Sequence, residues 1–242
     1  MAKSALQLTA DDRWEAVLHV PADAADLGLH RDENEASARF RRQLVDAIGP
    51  EAARRHGTAA ERDFLLHRAA LADSSAVWGG FVVTSSIDID PSVTDPVALA
   101  AEAAKADPDV VMLALLVGIT ELPELPSAGI ASPAAALSRL LHQRHGPGSA
   151  SHILDYDGRP AAAAVRVEEL DLGGRTIGGH TLPDDAPAAE HLVAEVHVLF
   201  PEADALATVT AATLHPPSLN HAVLAAGSIA GTVRVRTARD RM

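Results

Sequence analysis

Alternating apolar and polar positions predict strands along much of the chain. In Trp14–Val20 the positions of one parity are apolar, and we interpret the segment as an edge strand that ends at Pro21. Val110–Thr120 is apolar almost throughout, which is typical of a central strand covered on both faces. The other predicted strands are Ala76–Ile89, Ile153–Tyr156, Ala161–Val167, His191–Phe200, Leu206–Leu214 and Thr232–Arg236.

Apolar residues three or four positions apart predict helices between these strands. The first, Asp32–Arg55, is interrupted at Gly49-Pro50, and a second begins at Thr58, which forms a capping box with Glu61. Further helices are predicted from Asp95 to about Lys105, from Pro133 behind the cap Ser132 to Gly146, and from Pro216-Pro217 to about Ala230.

This order of hairpins and helices predicts an α+β fold with a largely antiparallel sheet flanked by helices. Asp157-Gly158 supplies the two-residue turn of one hairpin. We predict a single compact α+β protein over residues 1–242, and a proline-punctuated connector at 121–131 is the best candidate for an internal boundary.

Composition narrows the range of partners. Apolar residues make up 48% of the chain but aromatic residues only 3%, so the core must consist of Ala, Val, Leu and Ile. A net charge of −13 argues against nucleic acid as a partner, because binding to phosphates relies on clustered cations. The one basic concentration is interpreted as a solvated tail, and its members are Arg234, Arg236, Arg239 and Arg241.

The first ten residues and the apolar runs bear on location. The chain has no cysteine, which excludes disulfides and thiolate zinc sites. Residues 1–10 are too short and too interrupted for a signal peptide, and Val110–Val117 is too short to span a bilayer. We therefore expect a cytoplasmic protein without membrane insertion.

Two pairs of residues suggest metal binding, and both have simpler interpretations. His142 and His145 share one helix face, but no third ligand accompanies them, so a solvated helix end is favoured. Asp88 and Asp90 share one side of a strand end, but no phosphate loop or basic clamp lies nearby in the sequence. We therefore predict no metal site and no cofactor.

The glycine pairs Gly173-Gly174 and Gly178-Gly179 superficially resemble a phosphate cradle. Strand-type residues lie between them, at Arg175–Ile177, and no lysine opens a helix after either pair. We interpret both pairs as hairpin turns.

Candidate nucleophiles also lack their supporting motifs. Neither Ser149 nor Ser228 has the flanking glycines of a nucleophile elbow. Lys3 lies in a predicted tail and Lys105 on a predicted surface helix, so Schiff-base chemistry is disfavoured. The sequence assigns no catalytic residue, although a triad assembled from distant Ser, His and Asp stays open.

Residues Val193–Arg236 resemble the ending of uncharacterised actinobacterial proteins, some of them associated with type VII secretion, and more distantly that of Mog1/PsbP-like domains. The match comprises a turn proline at Pro201, a following strand, Pro217 and a closing strand. Ala226, Gly227 and Val235 depart from the pattern. The resemblance implies an α/β sandwich with an antiparallel sheet that serves as a binding or assembly module. Because both hairpin strands alternate and Val233 and Val235 offer a buried face, we also predict that Val193–Arg236 belongs to the main sheet.

Two functions follow from these observations. The first is a non-enzymatic accessory protein that binds a protein partner, and it allows a homo-oligomer and a link to a secretion or assembly system. The alternative is a small-molecule-binding or hydrolytic enzyme that uses His and Asp from separate elements. A pocket with convergent groups of perturbed pKa would favour the alternative, and a flat apolar patch would favour the first.

Overall fold

The computed structural model of the chain describes residues 3–22, 24–28, 32–71, 76–86, 95, 97–98, 109–125, 131–146, 149–177 and 180–238. These residues contain three α-helices: α1 Glu33–Leu71, α2 Pro133–His145 and α3 Leu219–Ala230. The longer strands are β1 Lys3–Ala10, β2 Trp14–Pro21, β4 Trp78–Ser86, β5 Asp109–Glu121, β6 Ala150–Tyr156, β7 Arg159–Leu170, β10 Ala189–Phe200, β11 Ala205–Thr213 and β12 Arg234–Thr237. The short strands are β3 Ala25–Asp26, β8 Thr176–Ile177 and β9 His180–Thr181, and short 3-10 helices occupy Pro201–Ala203 and Pro216–Ser218.

A seven-stranded sheet in the order β3-β4-β5-β11-β10-β7-β6 forms the centre of the fold. Every neighbouring pair in it is antiparallel. Helices flank this sheet, which confirms the predicted α+β class. The strand predicted at Val110–Thr120 is β5, an interior strand whose described side chains are buried through most of its length.

A second, three-stranded sheet has the order β1-β2-β12. The prediction that Trp14–Val20 is an edge strand is wrong, because β2 lies between the other two strands. Lys3 begins β1 and does not belong to a tail. The prediction that the closing strand belongs to the main sheet is also wrong: β12 pairs with β2, with Val235 opposite Ala16. Val233 and Val235 are nevertheless buried, as expected.

One face of the main sheet is covered by the small sheet and by α3. Small and branched side chains from both sheets and the helix form one apolar cluster there, including Val117, Val196, Val209 and Ala226. Trp14 is buried in this cluster, and its indole Nε1 donates a hydrogen bond to the Ala203 carbonyl oxygen at 2.9 Å. This face is therefore a dry interface built mainly from aliphatic residues, as the composition predicts.

The opposite face carries two separate apolar clusters. Under α1, the rings of Phe40, Phe64 and Phe81 pack against one another, with centroids 4.6 to 5.4 Å apart. Under α2, Leu137 and Leu141 pack against side chains of β7, β10 and β11. The two helices therefore cover the two ends of this face, and the strip of sheet between them belongs to neither cluster.

Local signals decide most helix boundaries. Gly49 adopts φ 82° and ψ 161° before Pro50, so α1 is kinked at the predicted interruption. The predicted helix start at Thr58 is wrong, since the helix runs unbroken from Pro50 to Leu71. Ser132 caps α2 as predicted, because its Oγ accepts a hydrogen bond from the Ala135 amide at 3.2 Å.

Turns also follow the predicted chemistry. Asp157 and Gly158 both have positive φ, 57° and 81°, as a two-residue turn between β6 and β7 requires. Asp95 accepts hydrogen bonds from two amides that follow it, as the cap of a helix does. The rest of that predicted helix, together with Asp88, Asp90, Lys105, Gly178-Gly179 and residues 126–130 of the connector, lies outside the described residues.

The interpretation of the terminal arginines as a solvated tail is wrong for Arg234 and Arg236, which lie on β12 and make hydrogen bonds. Arg236 donates two hydrogen bonds to Glu15 Oε2, at 2.7 and 3.0 Å, and Glu15 is buried. Arg234 donates to the Gly231 and Val233 carbonyl oxygens. Arg239 and Arg241 lie outside the described residues. The pair between Arg236 and Glu15 joins β12 to β2 on the outer face of the small sheet.

We predict that Val233→Asp lowers the free energy of unfolding by about 3 kcal/mol or more, because it places an unpaired carboxylate in the core. Val233 is 0% exposed. The matched control is Val17→Asp, because Val17 is 41% exposed on the outer face of β2 and pairs with Arg234. Urea unfolding should give a loss within about 1 kcal/mol for this control. Equal small losses for both variants would show that the chain before β12 is not docked in the core.

Candidate functional site

A polar stripe crosses the main sheet between α1 and α2. Because alternate side chains of a strand share a face, four neighbouring strands contribute to it. The stripe consists of Gly118 and Thr120 from β5, Thr208 and Thr210 from β11, His191, Glu195 and His197 from β10, and Arg166 and Glu168 from β7. It forms the floor of a cleft of about 450 Å³, which we call the polar cleft. Leu71 and Arg144, at the ends of α1 and α2, line its walls.

Gly118 keeps the floor of the polar cleft low. It lies inside β5, opposite Thr208, and a Cβ atom built on it would meet no atom within 4 Å. Glycine inside a strand weakens the strand and often marks a close approach by a ligand or by another segment. The packing around residue 118 therefore does not require glycine, and a larger side chain at this position would narrow the cleft.

Glu195 lies at the centre of the stripe, and it is only 9% exposed. Its Oε1 is 2.8 Å from Nη2 of Arg166, and its Oε2 is 3.1 Å from Nε2 of His197. Arg166 also binds Glu168, through Nε at 2.7 Å and Nη2 at 2.6 Å. One guanidinium thus holds two carboxylates from adjacent strands.

Burial by itself would raise the pKa of Glu195. The hydrogen bond from His197 and the positive charge of Arg166 outweigh that effect and hold the pKa at about 2. Glu195 is therefore ionised at neutral pH and can only accept hydrogen bonds. His197 must accordingly donate from Nε2.

His197 connects this carboxylate to a hydroxyl group. Its Nδ1 is 3.1 Å from Oγ1 of Thr208 on the neighbouring strand. When the ring is neutral, Nδ1 accepts the hydroxyl proton of Thr208 because Nε2 carries the ring hydrogen. The result is a hydroxyl–imidazole–carboxylate chain that runs across β11 and β10.

His145 reaches the same carboxylate from the end of α2. Its Nε2 lies 3.2 Å from Oε2 of Glu195 but makes no hydrogen bond there. Burial lowers the pKa of His145, and the charge of Arg166 lowers it further. The interpretation of His145 as part of a solvated helix end is therefore wrong, although His142 is exposed as expected.

A second imidazole pair lies at the other end of the stripe. Nδ1 of His67, on α1, is 2.9 Å from Nε2 of His191, on β10. Burial lowers the pKa of His191 to about 4, and burial together with the charge of His191 lowers the pKa of His67 well below its usual value. Both rings are therefore neutral at pH 7, and they join α1 to the sheet through one hydrogen bond.

Within the described part of the chain, four buried nitrogens of these side chains have no hydrogen-bond partner. They are Nη1 of Arg166, Nε2 of His145, Nδ1 of His191 and Nε2 of His67. A buried polar atom without a partner costs about 1–3 kcal/mol, so such a concentration calls for an explanation. Functional sites are where proteins commonly carry this cost.

The other candidates from the sequence do not meet in this cleft. Ser149 is buried, and its hydroxyl donates to the Gly146 carbonyl oxygen. Gly174 adopts a positive φ in a turn before the β8–β9 hairpin, as the turn interpretation predicts. Ser228 lies on α3 and Lys3 on β1, both on the opposite side of the main sheet. In the described part of the chain no group of three His, Asp or Glu side chains is placed to hold a metal ion.

Sequence reasoning missed His191, Glu195 and His197, although their spacing contains a signal. They share one parity of the β10 pattern and therefore one face of the strand. Polar residues at that spacing usually mark a solvent-facing side. Here α1 and α2 cover the two ends of the face and convert its middle into a cleft.

No protein-family model matches the chain, and no curated protein or solved structure matches it either. The resemblance of Val193–Arg236 to actinobacterial secretion-associated proteins therefore stays a prediction. Among the described helices, none is both long and apolar enough to cross a membrane.

The low pKa of His191 predicts a pH-dependent stability. Between its ordinary pKa of 6.5 and its folded value of about 4, the unfolded chain binds a proton that the folded chain excludes. The free energy of unfolding therefore falls as the pH is lowered through this window, and this one group accounts for a loss of about 2 kcal/mol at pH 5. His191→Asn removes the contribution, so the stability difference between wild type and variant should shrink by that amount from about pH 7.5 to about pH 5.

Urea unfolding at the two pH values measures this change. His152→Asn is the control, because His152 is exposed on β6 and its ring meets water in the folded and unfolded chains alike. If the free energy of unfolding falls as steeply in the His191 variant as in wild type when the pH is lowered, the ring of His191 is not buried in the neutral form.

Proposed function

We propose that this protein binds a small molecule in the polar cleft, and that the molecule carries one carboxylate. The observation that carries the proposal is that Arg166 and His191, which line one open cleft, each have a buried nitrogen without a partner in the described chain. His145, 3.2 Å from Glu195 at the edge of the same cluster, adds a third such nitrogen. A cleft of this volume suits a molecule of metabolite size.

The electrostatics of the cleft support a ligand of low charge. The positive charge of Arg166 is already shared by Glu168 and Glu195, and the nearby imidazoles of His145 and His191 have lowered pKa values. The whole chain carries a net charge of −13, which repels polyanions such as nucleotides. A single carboxylate can accept hydrogen bonds from Nη1 of Arg166, and it adds less negative charge to the cleft than a polyanion does.

Binding requires a small rearrangement of side chains. The unpartnered nitrogens are covered as well as unpaired, so a ligand must displace a neighbouring side chain to reach them. Changes of rotamer on binding are common even where the backbone stays fixed. A ligand that forms hydrogen bonds with these nitrogens removes the free-energy cost of leaving them unpaired, and this favours binding.

The convergent groups favour the small-molecule alternative over the protein-binding function. The exposed large apolar side chains, such as Val17, Ile153, Val167 and Leu224, come from different elements. A protein partner, a homo-oligomer and a link to a secretion system stay predictions.

We predict that benzoate binds in the cleft and shifts the backbone amide signals of β5, β7, β10 and β11 in a saturable manner. Gly118→Phe should weaken this binding at least about tenfold, because the ring fills the cleft. Gly118→Ala is the matched control and should change the affinity by no more than about threefold. Gly118→Ala should fold as wild type does, since a Cβ at this position meets no atom within 4 Å. Well-dispersed amide signals of Gly118→Phe check that its ring leaves the fold intact.

Amide NMR titration measures these affinities, with benzyl alcohol as the ligand that lacks the carboxylate. Benzyl alcohol should bind more weakly than benzoate. Equal benzoate binding by Gly118→Phe and Gly118→Ala would contradict the proposed site. Loss of benzoate binding on treatment with EDTA would instead indicate a metal ion between benzoate and the protein.

A hydrolytic function is the second candidate, and one observation favours it. The chain Thr208–His197–Glu195 places a hydroxyl, a base and an orienting carboxylate in sequence, as nucleophilic catalysis requires. The acid is a glutamate instead of the expected aspartate. The backbone of Thr208 is fixed in β11. Its hydroxyl can therefore turn from His197 towards a substrate in the cleft only if the side chain rotates.

Hydrolysis of p-nitrophenyl acetate separates the two functions. The binding proposal predicts the same rate for wild type and Thr208→Val, a change that keeps the shape of the side chain. A rate at least about tenfold higher in wild type would favour hydrolysis through Thr208. His142→Asn controls for reaction of exposed imidazoles with the ester.

A further inference from the structure

A second, larger cavity lies beside the polar cleft. Its volume is about 820 Å³, and its walls include α1 and the described residues between β7 and β10, which are 171–177 and 180–188 and contain β8 and β9; we call these residues the segment 171–188. We call the cavity the α1 cavity. Its lining is mostly apolar and includes Leu66, Met112, Leu172, Ile177, Leu182 and Ala186. Besides the polar groups on α1, the polar residues His180, Glu190, Thr213 and His215 line its rim.

The wall of the α1 cavity on α1 contains polar groups. Asp63 lines it, and burial raises the pKa of that carboxyl group. His67 lines it one turn further along the helix and is 0% exposed. Nε2 of His67 is buried and has no hydrogen-bond partner. The cavity thus combines an apolar body with a buried hydrogen-bonding atom that nothing in the described chain satisfies.

The segment 171–188 is attached to α1 by few contacts. Arg175 donates a hydrogen bond to the Ala69 carbonyl oxygen at 2.9 Å, and Ile177 packs against the apolar cluster under α1. Most other side chains of this segment are exposed or half-buried. Entry of a molecule between this segment and α1 therefore disturbs little of the core.

The two sites are joined through one pair of rings. His67 lines the α1 cavity and His191 lines the polar cleft, with 2.9 Å between their bonded nitrogens. A neutral imidazole has one N–H group and one lone pair. Because one hydrogen forms the bond between the rings, one of the two outer nitrogens carries a hydrogen and the other carries a lone pair. The hydrogen-bonding roles of these outer nitrogens are therefore always opposite.

We propose that the α1 cavity is a second binding site, for a molecule with an apolar body and one hydrogen-bonding group that contacts Nε2 of His67, and that the ring pair couples this site to the polar cleft. A ligand that donates to His67 Nε2 places the hydrogen of His67 on Nδ1. His191 then accepts at Nε2 and presents an N–H at Nδ1, which suits a carboxylate in the cleft. An acceptor in the cavity reverses every one of these roles.

The coupling to a cleft ligand rests on the proposed function, whereas binding in the cavity does not. Phenol, which can donate, and cyclohexanone, which can only accept, are suitable probes. Both should shift the amide signals that surround the cavity in a saturable manner. Leu182→Trp should place an indole ring in the cavity, obstruct part of it and weaken the binding of both probes at least about tenfold, while Leu182→Met should leave their binding nearly unchanged.

Ring nitrogen NMR tests the coupling without any ligand in the cleft. Phenol should place the hydrogens of His67 and His191 on Nδ1 of each ring, and cyclohexanone should move both to Nε2. His191→Leu should bind phenol through His67 alone, and benzoate should then no longer change the affinity for phenol. In wild type, benzoate should strengthen the binding of phenol by about threefold or more and should weaken the binding of cyclohexanone.

Three results would overturn this proposal. The absence of saturable phenol binding, or unchanged binding in Leu182→Trp, removes the second site. Phenol binding that alters the ring of His67 but not that of His191 removes the coupling. Failure of benzoate to bind the polar cleft, with the concerted ring response to phenol intact, would contradict the proposed function and leave the second site supported.

Discussion

An ionised carboxylate on a covered face of the main sheet constrains the structure around it. Glu195 stays charged because Arg166 and His197 pair with it, and these partners come from β7 and from β10 itself. A paired charge in this position cannot be covered by an apolar helix without a large desolvation cost. The helices α1 and α2 therefore pack on either side of the polar stripe, and the space between them remains a cleft.

The two faces of the main sheet differ in how completely their polar groups are paired. The face under α3 and the small sheet is packed mainly with aliphatic side chains, together with the buried aromatic residues Trp14 and Phe200. The other face contains the unpartnered nitrogens, a strand glycine at Gly118 and the His67–His191 pair. Such features lower stability, and a protein retains them where they serve binding or catalysis.

Local patterns in the sequence were sufficient for most elements of the fold. Alternation identified β2, β10 and β11, and cap or turn residues such as Ser132 and Gly158 identified helix and hairpin boundaries. Pairing between distant strands was beyond such patterns, so the placement of β12 beside β2 was missed. The site was missed for a related reason: the parity of His191, Glu195 and His197 reveals a shared face, but not whether water, a helix or a cleft lies above it.

The free energy of unfolding of one triple variant, Arg166→Met with Glu195→Met and His197→Leu, tests most directly whether the polar cluster is retained for binding. Replacing a whole buried charged cluster by apolar residues of similar size is often neutral or stabilising. We predict that at about pH 7.5 the variant is as stable as wild type, within about 1 kcal/mol, or more stable. A loss of about 3 kcal/mol or more would contradict it, because the cluster would then hold the fold together.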